Sequence, residues 1–115
     1  MSVQRIKPGP RMSEAVIHGN TVYLQGLTAD DESLDLKGQT RQILAKIDAL
    51  LSQAGTDKSK LLSANIWLTD IGTWSQMNEV WDAWVAPGNT PARATVEAKL
   101  ARPGWKVEIM VQAAK

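Results

Sequence analysis

Two residues offer the clearest chemistry in this chain: Arg93 and Glu108. An arginine presents N–H donors in a rigid fork that matches a carboxylate. A glutamate accepts a proton or orients a water. Each lies in a segment where polar and apolar residues alternate, the pattern of a strand with one buried face. In TPARATVEAKL, residues 90–100, Ala94, Val96, Ala98 and Leu100 form one row and Arg93, Thr95, Glu97 and Lys99 the other. In KVEIMVQAA, residues 106–114, Val107, Ile109, Val111 and Ala113 oppose Glu108, Met110 and Gln112. With the apolar rows inward, Arg93 and Glu108 share the polar side of a closing hairpin turned at Pro103-Gly104. A cross-strand ion pair on a solvated face accounts for that pattern too, and alternation alone favours it. The row of Glu108, Met110 and Gln112 is nonetheless an odd solvent face, since it mixes a carboxylate, a thioether and an amide.

Other chemistries find little support. The chain has no cysteine, hence no disulfide, thiol nucleophile or thiolate metal site. A single histidine, His18, cannot form a histidine metal cluster. No nucleophile-elbow pattern accompanies the serines, and His18 reads as an exposed strand-end residue before Gly19-Asn20. Asp30-Asp31-Glu32 lacks the spaced ligands and turn glycine of a calcium loop and reads as solvated charge. PGPRMS, residues 8–13, precedes no helix and is not a phosphate loop. A net charge of +1 with scattered Lys and Arg argues against nucleic acid. The N-terminus has no apolar stretch of signal-peptide length, and no window suits a membrane span. A cytoplasmic location is the expectation.

At 115 residues the chain is expected to form one domain, 1–115. Strands are predicted at 3–7, 13–18 and 20–26, the latter two joined through Gly19-Asn20. The acidic loop 28–35 offers a cap for a helix over 37–54, whose stripe is Ile43, Leu44, Ile47, Leu50 and Leu51. Gly55 stops it. A strand over 60–69 leads, through Asp70–Thr73, to a second helix over 73–85. Its stripe is Met77, Val80, Trp81, Trp84 and Val85. The order β-β-β-α-β-α-β-β predicts an α+β fold with both helices on one face of a sheet. The other face would carry Tyr23, Gln25, Arg93, Thr95, Glu108, Met110 and Trp67. An oligomer that packs sheet on sheet would bury it and set Arg93 and Glu108 near the seam. Five tryptophans in so short a chain point the same way.

These residues carry a family likeness. PAR-x-x-V-E-x-x-x-L, Pro91 to Leu100, followed by KVEI, Lys106 to Ile109, resembles the signature of the RidA/YjgF family of small trimeric proteins. So do Asn78-x-x-Trp81-x-x-Trp84, the Gly19-Asn20 hairpin with its strand ending at Gly26, and KLLSANIWLTDI, residues 60–71. The likeness runs over nearly the whole chain. It implies a chorismate-mutase-like fold, assembled as a homotrimer whose sheets face a central barrel, with clefts between neighbours. It implies cofactor-free, metal-free hydrolysis of 2-imino acids or their enamines to 2-keto acids and ammonia. Carried over by motif, Arg93 grips the substrate carboxylate and Glu108 positions water and shuttles its proton. The backbone at Gly26 and Leu27 holds the imine side, and Asn78 and Thr95 shape the pocket. Two positions depart from the best-studied branch: Thr95 stands where a cysteine is usual, and Arg11 follows Gly9-Pro10 where an aromatic is usual. The competing expectation is a trimer that binds a small carboxylate, such as a 2-keto acid, without turning it over. A third, RNA cleavage, lacks both a basic-aromatic face and paired histidines.

Overall fold

A computed structural model describes residues 2–115. Six strands and two helices follow the order β1 (Val3–Pro8), β2 (Ser13–His18), β3 (Thr21–Leu24), α1 (Leu36–Gln53), β4 (Leu61–Leu68), α2 (Trp74–Trp84), β5 (Ala92–Glu97) and β6 (Val107–Ala114). One sheet runs β1-β2-β3-β6-β4-β5. The fold is α+β, with the helix layer on one face as the pattern predicts.

Local signals account for the elements. Asp35 caps α1, its side chain accepting from Gly38 N–H at 2.8 Å. Past the end of α1, Gly55 adopts φ +82°, a left-handed conformation that favours glycine. The stripe Ile43, Leu44, Ile47, Leu50 and Leu51 is buried, as are Met77, Val80 and Trp81 of α2. They close on Ala15, Ile17, Val22, Leu24, Ala64, Ile66, Leu68, Val107, Ile109, Val111 and Ala113 from the sheet. The opposite face has no cover: Tyr23, Met110 and Val96 are 38%, 36% and 49% exposed.

The closing hairpin is a misreading. β6 pairs antiparallel with β4 and β3, while β5 runs parallel to β4 on its other side. Thus β4 separates β5 from β6, and α2 serves as the crossover that a parallel pair requires. The face of β5 is also reversed. Arg93 and Thr95 register with Ala64 and Ile66 of β4, whose side chains are buried beneath the helices. Ala94 and Val96 therefore lie on the open face. Alternation supplies a period of two but not its phase, and on β5 register with β4 sets the phase.

One buried polar residue ties the layers together. Gln39 is fully buried on α1, and its Nε2 donates to the carbonyls of Leu34 at 3.1 Å and Gly104 at 2.9 Å. Its Oε1 accepts from Lys106 N–H at 2.9 Å. It thereby fixes the loop that feeds Glu108 into β6. Gln39→Leu keeps the size but orphans these backbone groups, each costing about 1–3 kcal/mol when buried. Chemical denaturation should show the variant destabilised by about 2–4 kcal/mol; a loss under about 0.5 kcal/mol, the range of neutral surface changes, would assign Gln39 a merely space-filling role.

Candidate functional site

The sequence-predicted residues fall into two groups on opposite faces of the sheet. On the helix side, at the rim left by edge strand β5, the Arg93 guanidinium lies over the Trp81 ring, 5.4 Å from its centroid. A cation on an aromatic face is held without being neutralised. Among the described residues Arg93 makes no ion pair. Thr95 follows two residues on along the same face of β5, and Asn78 precedes Trp81 by nearly one helical turn. The Thr95 Oγ1 and Asn78 Oδ1 atoms are both buried without a hydrogen-bond partner among the described residues. Buried polar atoms are normally paired, because an orphan loses its hydration for nothing. The guanidinium, held by Trp81 without an ion pair, is a cation available to an anionic ligand such as a carboxylate, whereas the two oxygens are closed off within the single chain.

On the open face stands Glu108. It registers with Trp67 of β4 and is half-buried. It forms no ion pair among the described residues. Burial pushes its carboxyl above the ordinary glutamate value. Gly26 sits against it: a Cβ added at Gly26 would collide with Glu108 Oε2. The atom it meets is the far end of the Glu108 side chain, so a Cβ there is accommodated by displacing the carboxylate. If Glu108 is a reacting group, Gly26→Ala should lower kcat by about a hundredfold, as misplacement of such a group by an ångström does. Retention of full activity in steady-state assays would show that this contact does not matter.

At Leu27 the N–H donates to Ile109 O at 2.8 Å, and the O accepts from Ile109 N–H at 3.0 Å. Its side chain is core. The Leu27 N–H is thus spent on β6, and its carbonyl keeps one lone pair. Gly26 has no backbone hydrogen bond among the described residues.

The structure therefore brings Gly26 to Glu108, and Trp81, Asn78 and Thr95 to Arg93, but keeps the two groups apart with the sheet between. Hairpin logic missed this separation because it assumed that β5 and β6 are neighbours. Trp81 beneath Arg93 was also missed. It reads as one more residue of the α2 stripe, and only the crossover over β4 carries it to β5. The acidic loop behaves as ordinary charge: Asp30 pairs with Lys46 and Glu32 with Arg102, and Asp31 accepts from Ser33 N–H. Among the described residues no helix is long and apolar enough to cross a membrane.

Known proteins fit this architecture. The family model described as Endoribonuclease L-PSP matches residues 2–115. A RutC family protein of Haemophilus ducreyi is 45% identical over 112 residues, covering 97% of this chain and 96% of that one. A solved member of the YjgF protein family from Neisseria meningitidis is 46% identical with a TM-score of 0.97, covering 100% of this chain and 96% of that one. A solved protein of Salmonella typhimurium, described as a putative translation initiation inhibitor, is 42% identical with a TM-score of 0.91, covering 99% of this chain and 98% of that one.

Proposed function

The chain belongs to the YjgF/RutC family, endoribonuclease L-PSP in the family model's own description, and on that premise we propose that it hydrolyses 2-imino acids to 2-keto acids and ammonia. The observation that carries this reading is Arg93, set on the Trp81 ring with no ion pair among the described residues. The reacting site is assembled between subunits. Arg93 and Glu108 face opposite sides of one sheet, so they meet only when one copy's β5 rim approaches a neighbour's open face. A trimer packed through its sheets does this and covers Tyr23, Met110 and Val96. The relatives' names do not specify the reaction, which makes it a proposal for this chain.

In the proposed site Arg93 holds the substrate carboxylate by its fork and Thr95 O–H donates to a second carboxylate oxygen. Asn78 Oδ1 accepts an N–H from the imine side. Glu108 of the neighbouring copy removes a proton from water as the oxygen adds to the imine carbon. The resulting carbinolamine expels ammonia, the proton returning through Glu108 to the departing nitrogen. One imine and one water give one ketone and one ammonia. No electron pair leaves the substrate frame except with nitrogen, so the step needs no redox partner. The protein contributes orientation and proton transfer.

The test is release of keto acid and ammonia from imines generated in solution by an amino-acid oxidase. Acceleration over the spontaneous rate supports the hydrolase. Saturable binding of 2-keto acids with no acceleration by the folded trimer would replace it with the carboxylate-binding reading, which uses the same Arg93. RNA, suggested by the family model's description, is disfavoured by a net charge of +1 and a single histidine.

A further inference from the structure

The helix layer carries a second concavity that the proposed hydrolysis does not use. A groove of about 470 Å³ runs between α1 and α2, on the far side of the molecule from the open sheet face. Its volume lies in the range of small-molecule sites. The floor is apolar, from Leu44 and Val80, and concave because Ala45 and Ala83 are small. The groove includes neither Arg93 nor Glu108.

The charges around it are unequal in their engagement. Lys37 is bonded to Glu79 at the upper rim. At the other end Lys58 Nζ donates to Trp84 O at 2.6 Å, and Trp84 Nε1 donates to Asp48 Oδ2 at 3.0 Å. Arg41 stands between these ends on α1, and among the described residues it has no hydrogen bond or ion pair. Three cations and two carboxylates leave the lining a net single positive charge; Arg41 is the cation with no bond of its own among the described residues, while Lys58 Nζ lies over the Trp84 ring, 5.2 Å from its centroid.

We propose that this groove is a binding site for a monocarboxylate with an aromatic or branched apolar body. The carboxylate takes the fork of Arg41, and the apolar body lies on Ala45 and Ala83, beside the edge of the Lys58-covered Trp84 ring. A single negative charge matches the net single positive charge of the lining. A phosphate monoester would bring a second charge against Glu79 and Asp48, so it binds less well. The groove is also joined to the Arg93 cluster by contiguous aromatic packing. The Trp84 and Trp81 rings are 5.3 Å apart at 52°, and Trp81 carries Arg93. A ligand seated beside Trp84 therefore presses on the support of the residue proposed to grip substrate. This last consequence rests on the proposed function, whereas binding at the groove does not.

The experiment is a titration of the whole protein with phenylacetate, followed through the tryptophan indole N–H resonances, with Trp84→Phe to assign its signal. The expected result is a saturable shift of the Trp84 resonance. Arg41→Gln should weaken binding by about tenfold or more, the usual loss for a charge-assisted contact. Ala83→Leu, which fills the floor, should abolish binding, and Arg93→Ala should leave it intact. Phenyl phosphate should bind more weakly. A Trp84 signal that does not move, or that moves equally in Arg41→Gln and Ala83→Leu, overturns the site. A response lost in Arg93→Ala places the probe in the Arg93 cleft instead and likewise overturns it. The outcome is independent of the hydrolysis assay, so failure of either proposal is recognisable by itself.

Discussion

Arg93→Ala should lower kcat/KM for 2-imino acids by about 30-fold to several thousand-fold, the span set by losing about 2–5 kcal/mol when one partner of a buried charge pair is removed. The physical reason is specific to this rim. Arg93 is the charged member of a cluster whose other polar atoms, Thr95 Oγ1 and Asn78 Oδ1, have no partner of their own. Without the guanidinium nothing there balances a carboxylate. The fold should tolerate the change, because Arg93 is only half-buried and makes no ion pair among the described residues. Thermal denaturation should therefore stay close to wild type. Arg93→Lys should recover little, since an ammonium lacks the fork and stacks less well on Trp81. Steady-state release of keto acid measures both variants; near wild-type rates in Arg93→Ala would remove the carboxylate grip from the account.

Glu108→Gln should lower kcat by about 10²–10⁴-fold, the usual contribution of a general base, and yet leave the protein at least as stable at neutral pH. Burial raises the Glu108 carboxyl above its ordinary value, so the folded state favours the neutral form. For an acid whose folded pKa is raised, the stabilising contribution is complete below the unfolded pKa. It is lost as pH rises through the folded pKa. At neutral pH the ionised side chain therefore subtracts from stability wherever no cation faces it, as in the single chain, and glutamine removes that penalty. The gain should vanish once pH falls below the ordinary carboxylate range. In catalysis the same shift has the opposite consequence. The base must be ionised, so the acid limb of the kcat profile should fall at a higher pH than an unperturbed glutamate gives. Arg93 bound to the substrate carboxylate is already neutralised, which leaves the elevation in place in the complex. Melting curves across pH and a pH–rate profile test the two halves separately. A Glu108→Gln protein that is both fully active and less stable at neutral pH would contradict both.

The helices were legible because their signals are local. Ile43, Leu44, Ile47, Leu50 and Leu51 recur at helical spacing, and Asp35 and Gly55 punctuate the ends. On β6 alternation also identified the core row, since Val107, Ile109 and Val111 are too bulky and apolar for an open face. On β5 the same reasoning failed. Ala94 and Ala98 are small enough for either face, so composition could not set the phase, and register with β4 is a long-range fact. Gln39 was illegible for a similar reason. A glutamine on a helix looks like surface, and two of its partners, Gly104 and Lys106, lie in a loop distant in sequence. The site itself was half legible. The residue types of Arg93, Glu108 and Gly26 and their resemblance to a family picked them out, but their relation in space did not follow. At Leu27 the motif could not show that the N–H is already engaged by Ile109. If Arg93 and Glu108 act in one site, their opposed faces require an assembly, a stronger argument for the proposed shared site than the tryptophan content.

The most direct test of the shared site is to mix the two inactive proteins, Arg93→Ala and Glu108→Gln, after reversible dissociation and reassembly. Each site takes Arg93 from one copy and Glu108 from its neighbour. Random reassortment therefore leaves about a quarter of the sites with both residues intact. The account predicts that imine hydrolysis, negligible in either parent, returns to about a quarter of the wild-type rate in the mixture. A reassembled mixture no more active than its parents would contradict it, and would show that Arg93 and Glu108 do not act together in one site.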